Sequence, residues 1–178
     1  MAMHPRDRRL QSEYEDMREL AKSSSLISFV SRGVPPVKYE ITSRCLGLIQ
    51  LAETIVRSDN HKFDLELGDS FPLVAPAVVW RTPIFHPNIK PPHACAGNIW
   101  YPAMSVAEYC VELCRLIQFQ SFNVYDPLNQ EAGLWLWVSL NADSPGIPVD
   151  NRPIIDAVFE IDPVGRPAVE GKPDGNDD

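Results

Sequence analysis

The sequence predicts an α+β domain in which an N-terminal amphipathic helix precedes a four-stranded antiparallel meander, a long irregular loop and C-terminal helices. Three observations carry that prediction. Apolar residues recur at helical spacing at the start of the chain, alternate with polar ones through its first half, and return to helical spacing after residue 105. With 178 residues, 44% of them apolar, there is material for one ordinary core and its tails.

Over residues 5–22, Leu10, Tyr14, Met17, Leu20 and Ala21 fall on one helical face, and charged residues fill the other. Ser23, Ser24 and Ser25, then Gly33 and Pro35-Pro36, are read as the break that follows. Val37, Tyr39 and Ile41 alternate with Lys38, Glu40 and Thr42, the two-residue period of a half-buried strand. An apolar run at residues 45–49 predicts a second strand. Phe63, Leu65 and Leu67, set against Lys62, Asp64 and Glu66, predict a third that Gly68-Asp69 ends, and Val78, Val79 and Trp80 predict the fourth.

Residues 82–103, TPIFHPNIKPPHACAGNIWYPA, are different in kind. Four of the seventeen prolines fall between Pro83 and Pro92. Proline fixes φ and removes a donor, so neither a continuous helix nor a central strand fits here. An ordered loop displayed by a rigid scaffold is where chemistry concentrates, which directs attention to Cys95 and Asn88.

Ser105-Val106-Ala107-Glu108 is a capping box, predicting a helix from there to about Ser121. Val106, Cys110, Leu113, Leu116 and Ile117 share a face of it, so Cys110 and Cys114 are expected in the core rather than on a metal. Asp126-Pro127 predicts a further helix start, with Asp126 as N-cap and Leu128 to Leu140 as its body. Residues 5–140 thus form the expected domain. Residues 141–178 hold six prolines, four glycines and nine acids, an acidic extension expected to dock Ile154, Ile155, Val158, Phe159 and Ile161 and to be disordered after about Val164.

Composition excludes several classes. No run of eighteen apolar residues occurs, and the charged N-terminus lacks an apolar segment behind it, so neither a membrane span nor a secretory signal is expected and the predicted location is cytoplasmic. Four cysteines at irregular spacing read as free thiols. The net charge of -8 lies mainly in the last 38 residues, and no basic patch interleaved with aromatics favours nucleic acid. No phosphate-binding glycine loop or metal-ligand cluster is found, and no cofactor is expected.

Taken in order, Phe71-Pro72-Leu73-Val74-Ala75-Pro76, Thr82-Pro83-Ile84-Phe85-His86-Pro87-Asn88-Ile89, Cys95, Trp100-Tyr101-Pro102-Ala103 and Asp126-Pro127-Leu128-Asn129-Gln130-Glu131-Ala132 resemble the motifs of the ubiquitin-conjugating enzyme family. The resemblance spans roughly residues 5–140. It departs at one place, since Cys95 reaches Trp100 in five residues where the common eukaryotic members take about eight, a shortening closer in style to bacterial ubiquitin-conjugating-like proteins.

The resemblance implies that Cys95 accepts a ubiquitin-like protein from an activating enzyme as a thioester and passes it to an amine on a target. A thiolate is competent for that exchange, and an upstream ATP-dependent enzyme supplies the costly activation, so the chain itself needs no nucleotide loop. Asn88 then matches the residue that stabilises the tetrahedral oxyanion or braces the loop that does, and Asp126 the group that orients the incoming lysine. His86, Pro87 and Trp100 fall to structural roles near the site, with His86 bracing the turn. Phe71, Pro72, Tyr101, Pro102 and Ala103 match the loops that meet ligases, and Arg6, Arg8 and Arg9 the surface read by the activating enzyme. Two rival readings stay open: an inactive binding module of the same fold for a ubiquitin-like protein or scaffold, and, more weakly, a cysteine hydrolase whose histidine and acid meet only in space.

Overall fold

The computed structural model describes residues 4–96, 99–142 and 150–156. Helix α1 spans Pro5–Lys22. Its first turn starts where the His4 imidazole accepts the Arg6 N–H at 3.2 Å, and it buries Leu10, Met17 and Leu20. Six strands follow: β1 (Ile27–Gly33), β2 (Pro36–Ser43), β3 (Gly47–Leu51), β4 (Thr54–Ser58), β5 (His61–Glu66) and β6 (Ala77–Trp80). Four of them form one antiparallel sheet in the order β1-β2-β5-β6, and β3 with β4 forms a separate ribbon. Phe29 lies opposite Ile41, Ile41 opposite Phe63, and Phe63 opposite Trp80, so one face of the sheet is a continuous apolar row. The other face carries charge, where Lys38 Nζ sits 2.9 Å from Asp64 and 2.8 Å from Glu66.

Helix α2 (Val106–Ile117) turns Val106, Cys110, Leu113, Cys114 and Ile117 into the main core alongside α1 and the apolar face of the sheet. Cys110 and Cys114 are fully buried, and the Cys114 thiol lies 3.6 Å from Ser43 Oγ on β2. A smaller cluster of Leu48, Phe85, Phe119 and Leu136 seats α3 (Gln130–Leu140) beneath the ribbon. Among the described residues no helix is long and apolar enough to cross a membrane, and no group of three metal-ligating side chains occurs.

Several sequence expectations are corrected. The sheet has four strands as expected, yet residues 45–49 are not among them, because Leu48 and its neighbours pair with Thr54–Ser58 across a tight turn at Ala52, whose φ is 53°. The missing member is β1, an edge strand whose outward residues, such as the 56% exposed Val30, blur the apolar alternation. Helix α2 stops at Ile117 rather than near Ser121, with Phe119 at a φ of 57° just beyond its cap. Asp126 does not cap α3. Asn129 does, its Oδ1 accepting the Ala132 N–H at 3.2 Å, so Pro127 and Leu128 belong to the loop.

Candidate active site

The Cys95 side of the site is built from a buried turn. Residues 84–89 are all buried, and Pro87 among them lacks an N–H that would otherwise need a partner there. Phe85 N–H bonds Leu48 O at 2.6 Å, and before the turn Trp80 N–H bonds Pro92 O at 2.8 Å. His86 is fully buried, and its Nδ1 accepts the Asn88 N–H at 3.1 Å. Burial lowers the His86 pKa to about 3, so the ring is neutral and serves as an acceptor that shapes the turn. A two-residue ladder, β7 (Ile89–Lys90) with β8 (His93–Ala94), then leads to Cys95, whose N–H bonds Asn88 O at 2.8 Å. The thiol-bearing residue is exposed, and His93 beside it is exposed as well.

The opposite side comes from the loop between α2 and α3. It has no regular structure of its own, and residues far away in sequence hold it. The Asn88 amide clamps its middle: Nδ2 donates to Asn123 O at 2.9 Å while Oδ1 accepts the Asn123 N–H at 2.7 Å. Asn129 N–H donates to Pro87 O at 3.0 Å. Pro127 lies on Gly133 of α3 so closely that a Cβ at position 133 would approach its ring to 2.8 Å. These three contacts bring Asp126, itself exposed, to a cleft of about 140 Å³ that Cys95 and the 3% exposed Asn88 also line.

The rim beyond the thiol is fixed from α1. Trp100 Nε1 donates to Pro72 O at 3.0 Å, and its ring packs on Phe71 and edge-on to Tyr109 with centroids 5.6 and 5.4 Å apart. Arg9 donates to the carbonyls of Pro102 at 3.0 Å and Met104 at 2.7 Å and pairs with Glu13. Glu13 is 1% exposed and accepts the Val106 N–H at 2.6 Å, a carboxylate at the positive end of α2. Burial first, and the charge of Cys95 second, raise the pKa of Tyr109.

The structure therefore gathers Cys95, Asn88 and Asp126 into one cleft, with His86 and Pro87 under it and Trp100 at its rim. It redistributes the expected partner-binding residues. Phe71 is only 4% exposed and packs inward on Trp100, so it offers no docking side chain, whereas Tyr101, Pro102 and Ala103 are exposed. Arg9 is occupied by the rim, and Arg6 donates to Gly68 O at 3.0 Å, which leaves Arg8 as the exposed arginine of the three. The middle of the shortened segment, residues 97–98, lies outside the described residues. Sequence reasoning missed Asn123, Glu13 and Gly133. Glu13 could be suspected as a lone acid on an otherwise apolar helix face, but Asn123 carries no local signal of its link to Asn88.

Comparison with known proteins places the chain in a family and agrees with its fold. The sequence model of the family described as "Ubiquitin-conjugating enzyme" matches residues 9–136. An Arabidopsis thaliana protein described as "Probable NEDD8-conjugating enzyme Ubc12-like" is 30% identical over 124 residues, 67% of this chain and 63% of that protein. The alignment thus spans somewhat less than two thirds of that relative's length. Among solved structures, S. cerevisiae Ubc12 superposes with a TM-score of 0.53 at 22% identity, over 72% of this chain and 73% of that one, which shows a common fold.

Proposed function

The chain belongs to the ubiquitin-conjugating enzyme family, and we propose that it carries a ubiquitin-like protein as a thioester on Cys95 and transfers it to an amine of a target. The observation that carries this reading is the cleft itself: an exposed cysteine and Asp126 line it together, with the buried Asn88 joining the two sides. In the first step the Cys95 thiolate attacks the thioester carbonyl of the charged activating enzyme. The tetrahedral intermediate expels that enzyme's thiolate, so one thioester replaces another at nearly no cost in free energy. In the second, an amine attacks the new thioester and Cys95 leaves as thiolate. Asp126, exposed at the cleft, accepts a hydrogen bond from the incoming ammonium, orients it and takes its proton. Asn88 has one N–H and its carbonyl committed to Asn123, so it acts first as a positioning residue, and its second N–H is free to meet the developing oxyanion.

The NEDD8 assignment in the name of the Arabidopsis relative makes NEDD8 the first modifier to try, with ubiquitin as the second arm. Tyr101, Pro102 and Ala103 are proposed to meet a ligase, and Arg8 the activating enzyme. The short spacing from Cys95 to Trp100 supports a bacterial-type branch, and the cytoplasm is the proposed location. Incubation with each modifier, its activating enzyme and ATP should yield an adduct that reducing agent cleaves. Cys95→Ser should give a reductant-resistant adduct or none, and Cys95→Ala none. A Cys95→Ala protein that charges like wild type would overturn the assignment. Adduct-free binding of modifier without ATP would point instead to a binding module.

A further inference from the structure

An apolar groove of about 840 Å³ runs between α1 and α2, lined by Leu20, Ile99, Met104, Ala107, Val111 and Ile155 among others. The two helices have their N-terminal ends together, because Arg9 reaches Met104 O and Glu13 reaches Val106 N–H. One end of the groove therefore lies near Ile99 and Tyr101, which follow Cys95 by four and six residues, and the other near Ser23 at the end of α1.

The chain itself is delivered to that second end by a strap over residues 150–156. Asp150 is buried and accepts the Leu46 N–H at 2.7 Å, Gln118 Nε2 donates to Arg152 O at 2.9 Å, and the Ser24 hydroxyl donates to Ile154 O. The last described residue is stitched down on both sides: Asp156 N–H bonds Ser23 O at 2.7 Å, and Asp156 Oδ2 accepts the Ser25 N–H at 2.6 Å. Its neighbour Ile155 already lines the groove. The residues that come next are Ala157-Val158-Phe159-Glu160-Ile161-Asp162, four of the first five apolar.

We propose that residues 157–162 of this chain occupy the groove, entering from the Ser23 end in the direction of Ile99 and Tyr101. The reach suffices. Arg115 to Ala107 is about 12 Å along α2 at 1.5 Å per residue, and six extended residues span about 20 Å. Tethering at Asp156 gives the segment an effective concentration on the order of millimolar. The groove's rim, with Glu19, Glu108 and Glu112 set against Arg115, offers no net attraction to the acids of the segment, so the apolar side chains carry the docking.

Disulfide trapping in the full chain tests this, on a Cys95→Ser background that removes the exposed native thiol. Val111→Cys with Phe159→Cys, and Glu108→Cys with Ile161→Cys, are compared with Val111→Cys with Asp174→Cys under oxidised glutathione, reading intramolecular closure by mass. The first two pairs should close at least about tenfold faster than the third, as monomers. Equal rates for all three would overturn the proposal, and so would predominant dimers, which would give the groove to a second copy. The readout involves no charging, so its failure leaves the transfer reading untouched, and failure of charging leaves this one standing.

Discussion

The two sides of the cleft reach the same place by opposite means. The Cys95 side is a buried turn held largely by bonds within residues 80–95, with the Phe85 N–H reaching out to Leu48 O. The Asp126 side is an exposed loop held by three contacts made elsewhere: the Asn88 amide, Pro87 O and the bare backbone of Gly133. A nucleophile has to present one atom from a fixed backbone, which local structure can supply. A group that receives a variable amine has to stand in solvent, and such a group gains precision only from supports outside its own segment.

The largest effects should separate the sides by what else is lost. Asp126→Ala and Asn88→Ala are each expected to slow transfer of a charged modifier to free lysine by roughly 10²-fold while the thioester still forms. Only Asn88→Ala should also destabilise the fold, by about 1–2 kcal/mol, because it removes both hydrogen bonds to the backbone of Asn123. Single-turnover discharge and thermal melts on the same samples check both, and an equal loss of melting temperature in the two variants would contradict the division. Gly133→Ala comes next. Its Cβ pushes on Pro127, so a cost of about 2 kcal/mol and slower transfer with intact charging are expected, and unchanged discharge kinetics would show that Asp126 does not depend on that seat. Asn129→Ala should cost about 1 kcal/mol as the loss of the true α3 cap, against no change for Asp126→Ala.

The smallest effect lies outside the cleft and serves as its control. Burial alone would raise the pKa of Asp150, but the Arg152 guanidinium and the Leu46 and Arg152 amides bond its ionised form, and the net value falls below the ordinary 3.8. The strap's contribution is therefore fully present above about pH 5 and lost as pH falls through and below that ordinary carboxylate range. Asp150→Asn should be less stable than wild type at neutral pH, with a gap that narrows toward pH 2–3 while discharge by Cys95 at neutral pH is unaffected. A gap that widened on acidification would refute the assignment.

What could be read in the sequence follows the same division. Helix α1 was legible to its ends and the α2 capping box to the residue, because periodicity and capping are local. The order of motifs around Cys95 was equally legible. The start of α3 was not, since Asp126-Pro127 and Asn129 both carry cap chemistry and the choice is made by Pro87 O, which captures the Asn129 N–H. Strand β1 escaped because an edge strand shows its apolar pattern on one side only. Phe71 looked exposed in a proline-rich loop, yet Trp100 and the Arg9 guanidinium, 5.6 Å from its ring centroid, fold it inward. The pairing of Asn88 with Asn123, 35 residues apart, is a tertiary decision with no local trace.

Glu13 has a bearing on the order in which this protein comes together. Its carboxylate holds the Val106 N–H from 93 positions away, and Arg9 holds the carbonyl of Met104 from 95. A chain emerging from the ribosome can form the β1–β2 hairpin and α1 early, since those need only neighbours, but the wall beyond the thiol must wait until α2 has been made. For the whole of that interval Cys95 is an ordinary cysteine on an unfinished surface. The wall of the cleft beyond Cys95 is therefore complete only once the chain has been made past residue 106.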